Sequence, residues 1–449
     1  KIIGLEAKAI AASGYGSIVL LPDNSVKIWG LFHGSIEKEA VNVLFDENEL
    51  IEISKITGGG YHGLALSNDG KVYAFGKNGH GQLGIQSNLL HGSKRIIKQT
   101  NQGDVHIVAN QIKGDLQGKI VNLIAAGQEF SLAVAENGNE LYAWGDNSRG
   151  QLGLNQTIQT IATPTLVENM DWQQHGGIID VCAGGQHAFV LLGDGTVFAT
   201  GASEWGATGL GQFGDTFTFQ KVLFPQDVEI VDIACGGDHT LAKSKDGKLF
   251  ASGWNEHGAV GIGHVDNVNQ FEQVLFELKE ENEEKTTSTP HHVTFISGGA
   301  YAHSLAITND GRLWSWGLGE FGALGVGNGD DQLIPTRLPN VGGDVVAVDA
   351  GFKHSLALLA DGGVLAFGDS MFGQIPEILN ANEFELSDEQ PLFDASKFLG
   401  FAMDANQRFR EQQLDRIVID GGQNAKKSAT SSFAGVENGL YIGVYDGHG

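Results

Sequence analysis

The chain has 449 residues, ample for a large core, with 54 acidic against 28 basic residues and a formal net charge of −26. Phosphate backbones are bound by Lys and Arg, so this balance argues against nucleic acid as the main partner and suits a soluble, self-repelling surface, with room for a local basic patch. No apolar run approaches the ~20 residues of a membrane-spanning helix. Because the first residue is Lys1, the absence of a leader is uninformative about targeting.

Length alone suggests two to four domains, but an internal repeat overrides it. Seven copies pair two apolar strands across a short turn and end in Gly. They run Ser13 to Gly30, Gly59 to Gly76, Ala126 to Gly145, Gly184 to Gly201, Gly236 to Gly253, Gly299 to Gly317 and Ala350 to Gly368. A strand–turn–strand unit recurring roughly every 50 residues is the signature of blades that stack into one body. Five copies turn at Asp-Gly, beginning at Asp69, Asp194, Asp246, Asp310 and Asp361; the others use Asp23-Asn24 and Asn137-Gly138. These residues tolerate the positive φ that tight hairpins require, predicted here at both central positions. Strands such as Val72 to Phe75 are apolar on both faces, as expected for sheets sandwiched between neighbouring sheets.

The linking segments supply further strand-like pieces, at Thr163 to Val167 and Pro335 to Leu338, and four-stranded blades need them. Two links are long, Ile85 to Lys119 and Val265 to His292, the second with a polar run from Glu277 to Lys285; both read as loops on a blade rim. Cys182 and Cys235, in VCAGG and IACGG, are assigned to the same small slot of their repeats. They read as small buried residues, not a disulfide or metal pair, which suits a reducing compartment in the cytoplasm or nucleus. Histidine recurs at one slot, as His62, His187, His239, His303 and His354. A metal site needs convergence on one point, whereas a slot repeated per blade is spread around a ring. Each His is therefore expected to fill a hydrogen-bonding niche between blades.

The string Gly-x-x-His-(Ser/Gly)-Leu-Ala-Leu, Asp-Gly-x-(Val/Leu), (Trp/Phe)-Gly, closed by Gln82-Leu83-Gly84 and Gln151-Leu152-Gly153, resembles the regulator-of-chromosome-condensation repeat. The resemblance covers about Ala7 to Glu377. It implies an all-β, seven-bladed propeller over residues 1–377 acting through protein partners at its faces and loops. Members of that family serve as nucleotide-exchange factors for small GTPases, as chromatin binders or as interaction modules. The face residues on which exchange depends have no match here, and the acidic balance departs from a chromatin binder. Trp29, Trp144 and Trp316 precede Gly rather than Asp, against the other common propeller repeat.

The rhythm stops after Gln374. Residues 378–415 read as a polar linker with helix-compatible spacing from Asp404 to Arg416, and residues 416–449 hold two strand-like runs ending in Asp446-Gly447-His448-Gly449. A strand delivering Asp-Gly-His-Gly is similar to the first motif of the metal-dependent, type 2C protein Ser/Thr phosphatases, an α/β sandwich. That resemblance implies two Mg²⁺ or Mn²⁺ ions with Asp446 as ligand, Gly447 as a carbonyl ligand, His448 as candidate general acid and a phosphoprotein as substrate of a longer protein. Ser431 stands where the family has an acidic residue, and these 449 residues alone are expected to be inactive. The alternatives are a small-GTPase exchange factor and a scaffold with a degenerate phosphatase remnant.

Overall fold

A computed structural model describes residues 6–375 except 33–34, 46–50, 86–96, 100–104, 169, 226–227, 277–290, 340 and 342. The chain divides into units 1–402 and 403–449; the linker and the α/β sandwich expected after residue 377 lie outside the described residues. What is described is an all-β propeller of seven blades. Blade 4 is representative: Ile178–Ala183, His187–Leu192, Val197–Gly201 and Thr216–Lys221 follow one another outward as an antiparallel sheet. The other innermost strands are Ala9–Ala12, Ile53–Gly58, Val121–Ala126, Ile230–Cys235, Val293–Gly298 and Val345–Ala350.

The second strand of each blade is buried on both faces, completely so in His62–Ser67, Phe130–Ala135, His187–Leu192, His303–Thr308 and His354–Leu359. Apolar side chains therefore form cores between blades. Phe130, Leu132 and Val134 of blade 3, for instance, share one core with Val190, Leu192 and Trp172 of blade 4.

Two sheets depart from four strands. Blade 7 has three among the described residues. Blade 1 has six, because the long link after the third strand of blade 2 is not simply a rim loop. Its Val105–Val108 pairs in parallel with Ser35–Leu44 of blade 1, Ile97–Gln99 adds beyond it, and Asn110–Gln111 then returns as the outer strand of blade 2. Ile107 and Ala109 are buried in the core that blades 1 and 2 share.

Six of the seven hairpin turns differ in type from the expectation, whereas in blade 3 Asn137 (φ 57°) and Gly138 (φ 88°) both have the positive φ predicted. At Ser67–Lys71, Gly70 N–H donates to Ser67 C=O and Ser67 N–H to Lys71 C=O, and only Gly70 has positive φ (80°). This is a type I turn followed by one left-handed residue, so a single Gly suffices; Asn24 (φ 65°) fills the same role in blade 1.

The aligned histidines join neighbouring blades, as the repeated slot suggested. His62, His187, His239, His303 and His354 are buried, and each Nε2 meets a hydroxyl of the next blade: Ser131, Thr240, Ser304, Ser355 and Ser17, at 2.9–3.2 Å. Each hydroxyl donates its own proton to a backbone carbonyl of the histidine's blade, at Gln82, Ala207, Ala259, Ala323 and Gln374. A hydroxyl has one proton, so the imidazole must be the donor and is the neutral Nε2–H tautomer. Burial holds His62, His239 and His354 down at about 3 and His187 and His303 at about 4. The Gly preceding each His by a short loop is needed because a Cβ at Gly59, Gly184, Gly236, Gly299 or Gly351 would overlap the imidazole Cε1.

The two joints without His also lack the hydroxyl. Gly16 of blade 1 faces Gly63 of blade 2, with Phe32 and Phe75 filling the space, and Phe130 of blade 3 faces Ala188 of blade 4. Each joint thus either pairs an imidazole N–H with a hydroxyl or is apolar.

At the channel mouth, backbone N–H groups complete a circle across all seven joints. Gly14 donates to Gly59, Gly60 to Gln128, Gln128 to Gly184, Gly185 to Gly237, Gly237 to Gly299, Ala300 to Gly351 and Phe352 to Gly14, at 2.8–3.1 Å. Among the described residues no strand is exchanged between blades 7 and 1. That joint closes on Phe352 N–H, Ala7 N–H to Gly362 C=O, Ala12 N–H to Asp349, and the Gln374 carbonyl, which takes both Ser17 and Trp29 Nε1–H.

The reading of the cysteines is corrected. Cys182 and Cys235 form a disulfide between the inner strands of blades 4 and 5, with Cα atoms 5.6 Å apart. They do not share a slot: Cys182 is fifth in Ile178–Ala183 and Cys235 sixth in Ile230–Cys235. Alternate residues point to opposite neighbours, so the fifth residue of one inner strand faces the sixth of the next. The same register lets Ser297 Oγ reach Ala350 N–H and Asp349 reach Ala12 N–H.

Two measurements check these joints. In urea titrations at pH 7, Ser304→Ala should cost about 1–3 kcal/mol by stranding the His239 N–H. His239→Phe/Ser304→Ala, which copies the Phe130–Ala188 joint, should cost less than the sum of its single variants; strict additivity would overturn the pairing. Unfolded His binds its proton near pH 6.5 and the folded joints only near pH 3–4. Between these values the unfolded state carries more protons, so this contribution is complete above pH 6.5. It is lost on acidification, by at most ~1.4 kcal/mol per pH unit per His. Asp180, Asp232 and Asp349, raised by burial, act oppositely, so the histidine effect is the wild-type-minus-variant difference, which should shrink from pH 6.5 to pH 5. Separately, non-reducing peptide mapping of the purified protein after oxidation in air should recover Cys182 linked to Cys235. Reduction should then lower stability by about 2–4 kcal/mol, as for closing a loop of this separation; no change in stability would leave the bond without a structural role.

Candidate functional site

Asp446, Gly447, His448 and Ser431, the residues singled out for phosphatase chemistry, lie outside the described residues. The five histidines are held one per joint, and among the described residues no group of three or more His, Cys, Asp or Glu could hold a metal ion.

The central channel encloses about 350 Å³ and is lined by the inner strands, with Asp180, Asp232 and Asp349 and the disulfide in its wall. Burial, reinforced by nearby Asp232, pushes the Asp180 carboxyl up to about 7. Asp232 pairs with Lys243 at 2.8 Å. Asp349 accepts from Ala12 N–H, Ala350 N–H and Ser297 Oγ–H. Asp349 fastens the inner strands of blades 6, 7 and 1 to one another, Asp232 ties the inner strand of blade 5 to its second strand, and among the described residues no nucleophile–base pair stands beside them.

A different chemistry occupies one end of the ring, where the loops before each second strand and after each third strand project together. Tyr15, Tyr61, Tyr301 and Phe352 lie one or two residues before the aligned slot in blades 1, 2, 6 and 7. The circle of backbone bonds fixes these loops and so brings the rings into register. Trp254 meets Tyr301 at 5.6 Å, Tyr301 stacks on Phe352 at 4.8 Å, Phe352 on Tyr15 at 4.9 Å and Tyr15 on Tyr61 at 5.0 Å, with Phe372 edge-on to Tyr15. All remain partly exposed. Burial and neighbouring Tyr61 push the Tyr15 hydroxyl up to about 12, so it stays neutral.

Cations at this end are engaged internally. Lys77 lies 4.9 Å over the Tyr61 ring and pairs with Glu129. Lys353 lies over Tyr301 and Phe321 and pairs with Glu320 at 3.5 Å. Arg149 is clamped by Asp215 and Glu204. Asp238 and Glu256 have no ion-pair partner among the described residues. The result is a rigid aromatic surface of net acidic character, rich in the Tyr and Trp that anchor protein interfaces. The sequence carried one signal for it, aromatics just ahead of the aligned slot in four copies adjacent around the ring, which attention to the His slot itself passed over.

The chain matches the RCC1-like domain family over residues 2–283 and the regulator of chromosome condensation (RCC1) repeat over residues 310–358, with a second RCC1-repeat pattern at 293–323 and 345–374. It is 31% identical over 375 residues to the ultraviolet-B receptor UVR8 of Arabidopsis thaliana, covering 82% of this chain and 78% of the receptor. It is 30% identical over 309 residues to the human E3 ubiquitin-protein ligase HERC2, which covers 68% of this chain but only 6% of the ligase. Prp20p of Saccharomyces cerevisiae, described with binding properties to Gsp1p and histones, superposes with a TM-score of 0.61 at 19% identity, over 90% of this chain and 85% of Prp20p, a likeness of fold. By family match, by likeness to the plant receptor and by its seven blades, the chain belongs to the RCC1-like propeller family.

Proposed function

We propose that the propeller is a regulatory protein-interaction platform whose partner docks on the end bearing Tyr15, Tyr61, Tyr301 and Phe352. The observation that carries this reading is the unbroken aromatic arc on loops locked by the backbone circle. Preorganised rings lose little conformational entropy on association. Among the described residues no group in the channel or on the arc is arranged for covalent chemistry, which favours recruitment as the role of this part of the chain.

The finer parts of the reading rest on the sequence. The run to Asp446-Gly447-His448 supports fusion, in a longer protein, to a Mg²⁺- or Mn²⁺-dependent protein Ser/Thr phosphatase, with the propeller bringing a phosphoprotein to it. Those ions would supply an activated water; Asp446 and Gly447 would ligate, and His448 would hold the proton destined for the leaving group. A second reading, exchange activity on a small GTPase, is favoured by the likeness of fold to Prp20p. The face residues behind exchange remain unmatched.

The platform is tested by comparing partners retained by the wild-type chain with those retained by Tyr61→Ser/Phe352→Ser and by Lys245→Ser, which alters an exposed turn at the other end. Partners should be lost with the first and kept with the second; equal retention by all three places docking elsewhere. In a protein extended past Gly449, Mn²⁺-dependent hydrolysis of a phosphopeptide should drop at least a hundredfold with Asp446→Asn. Absence of turnover in the extended wild type removes the phosphatase reading. Accelerated release of labelled nucleotide from a small GTPase by the propeller alone would favour exchange instead.

This reading includes residence in the cytoplasm or nucleus, where a stable disulfide is unusual. Differential alkylation of the protein taken directly from cells should find Cys182 and Cys235 largely as thiols; a fully oxidised pair would point to an oxidising compartment.

A further inference from the structure

A recess of about 340 Å³ opens where blades 4, 5 and 6 meet on the same end of the propeller, lined by Trp205, Trp254, Tyr301, Asp238, Glu256 and neighbours Val265 and Asn267. Three aromatic rings and two carboxylates thus share one concavity. Trp254 is braced by Tyr301 on one side and by His257 edge-on at 5.5 Å, and His257 is itself held by Asp331 at 2.8 Å. Trp205 is 43% exposed.

Charge decides what such a recess accepts. Asp238 and Glu256 make no ion pair among the described residues. Arg149, whose charge reaches Asp238, is already taken by Asp215 and Glu204, and His257 by Asp331. Asp238 is reached by water but surrounded by protein, and that desolvation raises its carboxyl, with Glu204 adding to the effect and Arg149 opposing it. A cation entering the recess would meet two carboxylates with no competitor and the negative faces of the rings.

Among cations, the geometry favours a planar one. A guanidinium lies flat on indole and phenol rings, is weakly hydrated and forks its N–H groups to carboxylate oxygens, whereas an ammonium is a strongly hydrated point charge. The recess also continues through Tyr301 into the aromatic arc, so a chain lying along the arc would deliver a side chain into it. We propose that the Trp205–Trp254–Tyr301 recess is a receptor for an arginine side chain of a protein partner, held between the rings and paired with Asp238 and Glu256. This assignment rests on the platform reading and names the chemistry its partner must present.

The test uses the whole chain and N-acetyl-arginine amide, followed through the indole N–H resonances of ¹⁵N-labelled protein. Saturable shifts are expected at Trp205 and Trp254 and not at buried Trp144 or Trp29. The citrulline analogue, equal in shape but uncharged, should bind at least tenfold more weakly, and the lysine analogue several-fold more weakly. Asp238→Asn/Glu256→Gln should weaken the arginine compound at least tenfold. Lack of saturation, equal binding of citrulline or lysine, or an unaffected carboxamide variant would each overturn the proposal. Trp254→Leu, checked for fold by the unchanged Trp144 and Trp29 resonances, should abolish the Trp205 shift; its persistence would also overturn it. If arginine fails while Tyr61→Ser/Phe352→Ser still loses partners, the recess falls and the platform stands. If arginine binds while that variant retains its partners, the platform reading falls.

Discussion

Five of the seven joints of the ring are held by a hydroxyl placed between a histidine and a carbonyl of the preceding blade. Among the described residues no strand is exchanged at the closure between blades 7 and 1, which rests on side chains and single backbone bonds. Ser17, Ser131, Thr240, Ser304 and Ser355 each accept from an imidazole and donate to a carbonyl. Three of those carbonyls take a second proton from Trp29, Trp144 or Trp316. Such a node saturates every donor in a site closed to water, where an unmade bond costs most. The Nδ1 atoms of His62, His239 and His354 find no partner among the described residues. Protonation there would create an orphan donor in a dry joint, which is a physical reason these rings stay neutral.

Fixing the joint frees the residue beside it. The position just ahead of the aligned slot holds Tyr15, Tyr61, Glu129, Gln186, Asp238 and Lys353 in different blades. Each follows a residue of the circle at the channel mouth within one or two positions, and its carbonyl accepts an N–H from the end of the third strand or the loop after it in the same blade. Structural demand and recognition are thus separated by one or two residues along the chain. Aromatics at four neighbouring places make the arc, while the bases at this end are spent on Glu129, Glu320, Asp215 and Glu204. The acidity of the whole chain, −26, reaches this face as carboxylates without an ion-pair partner among the described residues, and two of them line the recess.

How much of this the sequence revealed depends on whether an element repeats. The seven blades and the histidine niche were legible because a requirement met several times leaves an aligned column. The disulfide was not, because it depends on Cys182 and Cys235 being one residue apart in register, and pleat alternation turns that offset from separation into contact. The six-stranded sheet of blade 1 was hidden because a link has no copies to align, and its Val105–Val108 pairs with a blade other than its own. The aromatic arc lay in between: its residues are in plain view in the repeats, but adjacency exists only once the ring is closed and Phe352 N–H meets Gly14. For residues 446–448 the motif remains a reading of sequence.

The two exceptional joints explain why the column of histidines is incomplete. With Ala188 in place of a hydroxyl, a histidine at position 130 would present a buried N–H to a methyl group, so Phe130 fills the site instead. With Gly63 across from it, position 16 is better left as Gly and filled by the rings of Phe32 and Phe75. A half-polar joint is worse than either pure form, because it pays the desolvation of one group without the bond that offsets it. Substitution at the slot must therefore occur in pairs across neighbouring blades. Any single His-to-apolar change in this ring leaves a hydroxyl with half its partners, and any single hydroxyl loss leaves an imidazole N–H without its acceptor. The seven joints fall into two types for this reason, and the gaps in the repeat follow the same physical rule as its histidines.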